Sequence, residues 1–174
     1  MWVLCLDAKG ITAECALAFA SKHRTHMALV GSSELADTSI LQRYEAAGLK
    51  ARYYRCNLTD ASSAAAMIAS VEADFGKVTG IIHGAGVNRA APVATVSATS
   101  ASEEIAPKVS GMRNLLNAVD ADSLQLLIGL TSVIGVVGMH GNAWYGFANE
   151  ALDLMIRRFA AGNEHIHAQT FAYS

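Results

Sequence analysis

Ser132, Tyr145 and Asn149 carry the spacing in this sequence that points to chemistry, with Lys108 upstream of them. Tyr145 follows Ser132 by thirteen residues, and Asn149 follows Tyr145 by four. Positions i and i+4 of a helix share a face, so the phenol and the amide would lie one turn apart. A phenol ionises at about 10 in water. It becomes a useful general acid near neutrality when a neighbouring cation stabilises its anion. Lys108 is a candidate for that cation. A hydroxyl at Ser132 could hold a carbonyl oxygen, and Asn149 could orient the lysine or a water. Taken singly, these residues say little. A serine at a strand end is commonly a turn residue, a tyrosine on an alanine-rich helix is commonly packing, and a lone lysine is commonly solvated. The weight lies in their order along one fold.

The elements that must position them can be read from apolar runs and punctuation. Trp2 to Leu6 reads as a buried first strand, and Gly10 opens a helix over Ile11 to Lys22. Thr25 to Val30 is a second strand ending at Gly31. Asp37 is a candidate N-cap for a helix through Ala47, with Gly48 as its stop. Ala51 to Cys56 is a third strand. Thr59 or Asp60 caps a helix to Phe75, stopped by Gly76. Val78 to Ile82 is a fourth strand, Ser100 to Val119 a helix, Leu124 to Leu130 a fifth strand, Ala143 to Ala161 a helix, and His167 to Ala172 a sixth strand. Strands alternating with helices predict an α/β fold: a Rossmann-like, doubly wound parallel sheet with helices on both faces. Ligands of such sheets sit beyond the carboxyl ends of the strands.

The turn after the first strand reads Asp7-Ala8-Lys9-Gly10-Ile11-Thr12. A dinucleotide site wants glycines here, so that backbone can approach a pyrophosphate at the helix N-terminus. Gly10 is present, but Leu6 and Asp7 stand where the first two glycines belong. A carboxylate at Asp7 would repel a pyrophosphate, and Lys9 offsets this in part. The second strand ends in Gly31-Ser32-Ser33 without an immediate carboxylate. With Lys9, that favours NADP over NAD, although Glu34 lies close enough to weaken the argument.

The bulk properties exclude several classes. The 174 residues suit one domain, 52% of them are hydrophobic, and the formal net charge is −2. There is no basic field for nucleic acid and no apolar window of membrane-spanning length. Met1 to Asp7 lacks the basic region and cleavage site of a signal peptide. The three cysteines, Cys5, Cys15 and Cys56, show no disulfide spacing, and a reducing cytoplasm is the expected setting. The six histidines form no metal-ligand pattern. His83 is expected to follow the fourth strand in a structural role. Pro92 and Pro107 are the two prolines, and no linker or repeat is visible.

With these residues in view, the sequence resembles, over nearly its whole length, the ketoreductase branch of the short-chain dehydrogenase/reductase family. The likeness is strongest to the ketoreductase domains of type I polyketide and polyunsaturated fatty acid synthases. The matching segments are Gly10 to Leu17, Cys56-Asn57-Leu58-Thr59-Asp60, His83-Gly84-Ala85-Gly86-Val87-Asn88, Pro107-Lys108-Val109-Ser110-Gly111, Thr131-Ser132-Val133-Ile134-Gly135 and Tyr145-Gly146-Phe147-Ala148-Asn149. Classical members place a lysine four residues after the tyrosine. Synthase ketoreductases place an asparagine there and bring the lysine from the preceding helix, as Lys108 and Asn149 do here. The resemblance implies a site for NADP(H) built from Lys9, Gly10, Ile11, Ser32, Asn57, Leu58, Gly84, Ala85 and Gly86. It implies reduction of a β-ketoacyl chain on an acyl carrier protein, with Tyr145 protonating the oxygen, Ser132 holding it and Lys108 tuning the phenol. Family members often pair through the helices that carry the lysine and tyrosine, so a homodimer is an expectation. The family continues past the sixth strand into a lid and a further strand, so this chain is expected to be one domain, residues 1–174, of a larger multidomain protein. The motifs assign no stereochemistry: Asn88-Arg89-Ala90 replaces the acidic pair of one class, and Val137 the tryptophan of the other.

Two other readings use the same residues. The lost loop glycines, Asp7, Ser32 and Asn57 would suit a catalytically silent scaffold or dimerisation domain of a synthase. A stand-alone reductase of a small carbonyl compound would share the four candidate catalytic residues.

Overall fold

A computed structural model describes residues 1–174. Strands covered by helices on both sides must be apolar on both sides, and the first, second and fourth obey this. β1 (Trp2–Leu6), β2 (His26–Gly31) and β4 (Gly80–His83) are buried along almost their whole length. β3 (Ala51–Arg55), β5 (Leu126–Ser132) and β6 (His167–Tyr173) complete the sheet. Its order is β3-β2-β1-β4-β5-β6, with every neighbouring pair parallel. The chain winds outward from β1 to β3, then returns to lay β4 on the opposite side of β1. That reversal opens a crevice at the carboxyl ends of β1 and β4, where open α/β sheets bind ligands.

Alternate residues of each strand feed two cores. Val3, Cys5, Met27 and Leu29 face α1 (Gly10–His23) and α2 (Ser39–Ala46), packing with Ala13, Ala16, Ala20, Ile40 and Tyr44. The small alanines let α1 lie close to the sheet. Leu4, Leu6, Val30 and Ile81 face α3 (Ala61–Phe75), α4 (Ala98–Ala118) and α6 (Ala143–Ala161), meeting Met67, Val71, Met112, Leu115, Leu152 and Ile156. Each such side chain contributes about 1.5–3 kcal/mol by leaving water. Where β5 and β6 face the α1 side, Ile128, Leu130, Phe171 and Tyr173 line an open apolar recess of about 300 Å³ with Cys15 and Phe19. No helix is long and apolar enough to cross a membrane.

Several boundaries differ from expectation. Asp37 does not cap α2. Its carboxylate accepts from the backbone N–H and hydroxyl of Ser39, at 2.8 and 2.9 Å, and the helix begins at Ser39 itself. Asp60 does cap α3, accepting from the N–H of Ser63 at 2.6 Å. β4 runs to His83, which is therefore a strand residue rather than one that follows the strand. β5 begins and ends two residues later than Leu124–Leu130, because residues 121–123 form a 3₁₀ turn that delays it. Ser132 is thus the last residue of the strand. A short helical turn that the apolar pattern does not announce, α5 (Ile134–Val137), follows it.

Candidate active site

The crevice beside β1 is a cleft of about 250 Å³. Ser32 borders it at the end of β2, Asn57 and Leu58 after β3, and Ala85 and Gly86 after β4. Those five are among the nine residues expected to hold a cofactor. The other four stand elsewhere. Lys9, Gly10 and Ile11 lie exposed where α1 begins, outside the cleft lining. Gly84 is packed against α1: a Cβ there would lie 2.7 Å from Cγ2 and 2.9 Å from Cβ of Thr12. Its lack of a side chain lets the strand and helix meet, which is a packing role.

Asp7, Thr59, Val87 and Pro107 also line the cleft. Asp7 has φ +98°, a backbone region that side chains other than glycine's rarely enter. The chain therefore keeps the loop geometry of a glycine while carrying a carboxylate. Burial pushes the Asp7 carboxyl up, opposed by the Lys9 backbone N–H and by the ammonium groups of Lys9 and Lys108. Glu34 is drawn to Arg55 at 2.7 Å and is not among the cleft residues. Asn114 of α4 is a site residue that the motifs do not single out. It is buried, and its side-chain N–H donates to the Leu58 carbonyl at 2.8 Å, fixing the backbone of the cleft wall. An asparagine on the apolar face of a helix is the available signal, because a buried amide needs partners.

Lys108 sits in the middle of α4, immediately after Pro107. It is 3% exposed and donates to the Leu130 carbonyl at 2.8 Å. That bond ties α4 to β5 two residues before Ser132. Gly86 makes room for the side chain, since a Cβ at residue 86 would lie 2.9 Å from Lys108 Cε. Burial lowers the ammonium to about 8, and the Asp7 carboxylate works against that fall. His83 lies beside it, fully buried, near the Pro107–Lys108 backbone. Neither ring nitrogen has a hydrogen-bond partner, and burial followed by the Lys108 charge pushes the imidazole down to about 3. It is a neutral side chain.

Ser132 is buried, and its oxygen accepts from the N–H of Ile134 at 3.2 Å. Its own hydroxyl proton remains available to another acceptor. Asn149 is 1% exposed and donates to the Tyr145 carbonyl at 2.7 Å, while its side-chain oxygen has no partner. Ser132 and Asn149 border a common cavity of about 170 Å³. They meet there because α5 lies tightly on α6: a Cβ at Gly135 would come within 3.1 Å of the Glu150 nitrogen and 3.3 Å of Asn149 Cβ. Tyr145 stands one turn before Asn149, half-buried. The loop after β4 is fastened to α4 and to the turn before α6, with Arg89 N–H donating to the buried Glu104 carboxylate at 3.0 Å and Ala91 N–H to the Gly141 carbonyl at 2.8 Å. The structure thus packs α4, which carries Lys108, and β5, which ends at Ser132, against α6, which carries Tyr145 and Asn149.

Comparison with known proteins gives this arrangement a lineage. The family model for the KR domain matches residues 8–171. A polyunsaturated fatty acid synthase chain of Thraustochytrium is 36% identical over 110 residues, 63% of this chain and 4% of its own length. Polyketide synthase GfsA of Streptomyces halstedii is 28% identical over 152 residues, 87% of this chain and 2% of its own length. The chain therefore spans only a few per cent of these relatives. Among solved structures, an N-terminal ketoreductase from the macrolactin assembly line superposes with a TM-score of 0.90 at 23% identity, covering 98% of this chain and 36% of that one. NAD+-bound xylitol dehydrogenase superposes with a TM-score of 0.89 at 24% identity, covering 98% and 68%. At such identities the structures speak for the fold. The order of sheet and helices, the lysine on α4 with the asparagine on α6, and the match to the family model lead to one conclusion: the chain belongs to the KR domain family, ketoreductases of the short-chain dehydrogenase/reductase type.

Proposed function

We propose that this domain reduces a β-ketoacyl thioester, presented on an acyl carrier protein, to the β-hydroxyacyl form with NADPH, as one step of polyketide or fatty acid assembly. The observation that carries the reading is the placement of Lys108 on α4 and of Asn149 on α6, one turn after Tyr145, with Ser132 at the end of β5. Three features of the cleft support a nucleotide site. It lies at the switch point of the sheet, glycine backbone forms one wall at Gly86, and Ser32 and Asn57 offer polar groups at the far side. When bound, NADPH supplies the hydride. Ser32, Asn57, Leu58, Ala85 and Gly86 would hold it, with Lys9, Gly10 and Ile11 at the rim, and the absence of a carboxylate at Ser32 favours a 2′-phosphate.

The chain's own residues supply the rest. Ser132, whose oxygen already accepts from Ile134, would donate its hydroxyl proton to the ketone oxygen. Tyr145 would protonate that oxygen as the alcohol forms. Lys108 spends one of its three N–H groups on Leu130, leaving two to stabilise the phenolate. The free oxygen of Asn149 is an acceptor for a lysine N–H or a water.

Fluorescence titration with NADPH and NADH, then turnover of a β-ketoacyl thioester, tests the reading. Saturable binding that prefers NADPH is expected. Tyr145→Phe should lose about 10²–10⁴-fold in turnover while still binding the cofactor, the usual span for a general acid. Absence of nucleotide binding at millimolar concentration would leave the four residues as relics on a scaffold.

A further inference from the structure

Asp7 occupies the turn between β1 and α1 with φ +98° and lines the cleft together with Gly86 and Pro107. The turn after the first strand of such a sheet is where a dinucleotide's pyrophosphate meets the N-terminus of the following helix. Asp7 stands three residues before Gly10, where α1 begins, and borders the cleft, so the turn that would meet a phosphate carries an anion of the protein's own. The backbone around it is intact, since the Asp7 N–H donates to the Val30 carbonyl at 3.1 Å and the Gly84 N–H to the Leu6 carbonyl at 3.0 Å. Of the two positions that lack a glycine, Leu6 is buried in the core, and Asp7 is the one that borders the cleft.

We infer that Asp7 is an affinity-setting residue of the cofactor cleft, a built-in carboxylate that competes with the cofactor's pyrophosphate for the head of α1. This rests on the reading of the cleft as a nucleotide site. Like charges a few ångströms apart at a half-buried site repel enough to change affinity by tenfold or more. Lys9 and Lys108 are the cations that act on the carboxylate, and they reduce the repulsion without abolishing it. The residue weakens binding while leaving the fold and the catalytic set in place.

The test uses three proteins: the parent, Asp7→Asn and Asp7→Gly. Asparagine keeps the size and tolerates positive φ; glycine removes the side chain and suits that φ best. Each is titrated with NADPH by fluorescence and with adenosine 2′-monophosphate, which lacks the pyrophosphate, by competition. Melting curves without ligand verify folding. NADPH is expected to bind about tenfold or more tighter to Asp7→Asn, and tighter still to Asp7→Gly. Adenosine 2′-monophosphate should bind all three alike. Saturable NADPH binding that differs by less than about twofold among the three overturns the inference and leaves the nucleotide reading standing. A gain shared equally by adenosine 2′-monophosphate also overturns it, because the effect would not lie at the pyrophosphate. Failure of all three to bind NADPH overturns the inference and the nucleotide reading together.

Discussion

Replacing Lys108 by methionine should stabilise the fold at neutral pH, although it removes a residue expected to be essential. The ammonium is 3% exposed and burial lowers it to about 8, against an ordinary 10.5. The folded chain therefore binds fewer protons than the unfolded chain between about 8 and 10.5, and stability rises with pH across that window. Below about 8 both states are protonated and the full cost of burying the charge applies, roughly 3 kcal/mol. Methionine has a similar reach and no charge. Its introduction forfeits the bond to the Leu130 carbonyl, which offsets about 1.5 kcal/mol. The net gain is about 1–2 kcal/mol at about pH 7, or about 2–8 °C in Tm for a chain of this size. By about pH 10 the cost in the parent has fallen to about 1 kcal/mol, so Lys108→Met should then melt below it. Paired thermal melts at the two pH values measure the reversal, and groups common to both proteins cancel in the difference. A methionine variant that is less stable than the parent by the same amount at both pH values would refute the claim that Lys108 is a buried charge held at a cost.

Two further outcomes follow from close contacts. Gly84→Ala would push a methyl group into Thr12, costing about 1–3 kcal/mol as an overpacked contact; urea unfolding should show the loss, and Thr12→Ala in the same protein should recover most of it. Asn114→Ala removes the donor to the Leu58 carbonyl. It should cost about 1–3 kcal/mol and weaken nucleotide binding, read by melting and by NADPH titration.

The fold is legible in the sequence because its strands and stops are local signals. Trp2 to Leu6 and Met27 to Val30 are apolar throughout, so these buried strands declare themselves without any alternation, and Gly48, Asp60 and Gly76 punctuate the helices where expected. What escapes depends on partners distant in sequence. The burial of Lys108 is decided by a carbonyl 22 residues away, and that of Asn114 by one 56 residues away. The end of β5 is hard to place because β6 sets it: Ser132 pairs with Tyr173, and no local residue announces that register. Asp7 reads as a defect in a glycine loop. Only its dihedral shows that the loop survives the substitution, since the backbone path is held by the Val30 and Leu6 carbonyls rather than by the side chain. Spacing picks out Ser132, Tyr145 and Asn149, and their order along the fold adds Lys108, but Gly135, where α5 lies tightly on α6, carries no chemical signature.

The junction of β1 with β4 also governs how the molecule is assembled. It joins segments 77 residues apart, with the Thr79 hydroxyl donating to the Trp2 carbonyl at 3.0 Å. Closing so long a loop has an entropic cost that the β1–β2 and β2–β3 neighbours largely escape. Asp7, Ser32 and Asn57 belong to the portion of chain made first, and Ala85, Gly86 and Pro107 to the portion made later. The cleft is therefore a seam between two halves, absent until the fourth strand docks. A molecule seated across it clasps the halves together and slows their parting, so occupancy bears on the lifetime of the folded state as well as on chemistry.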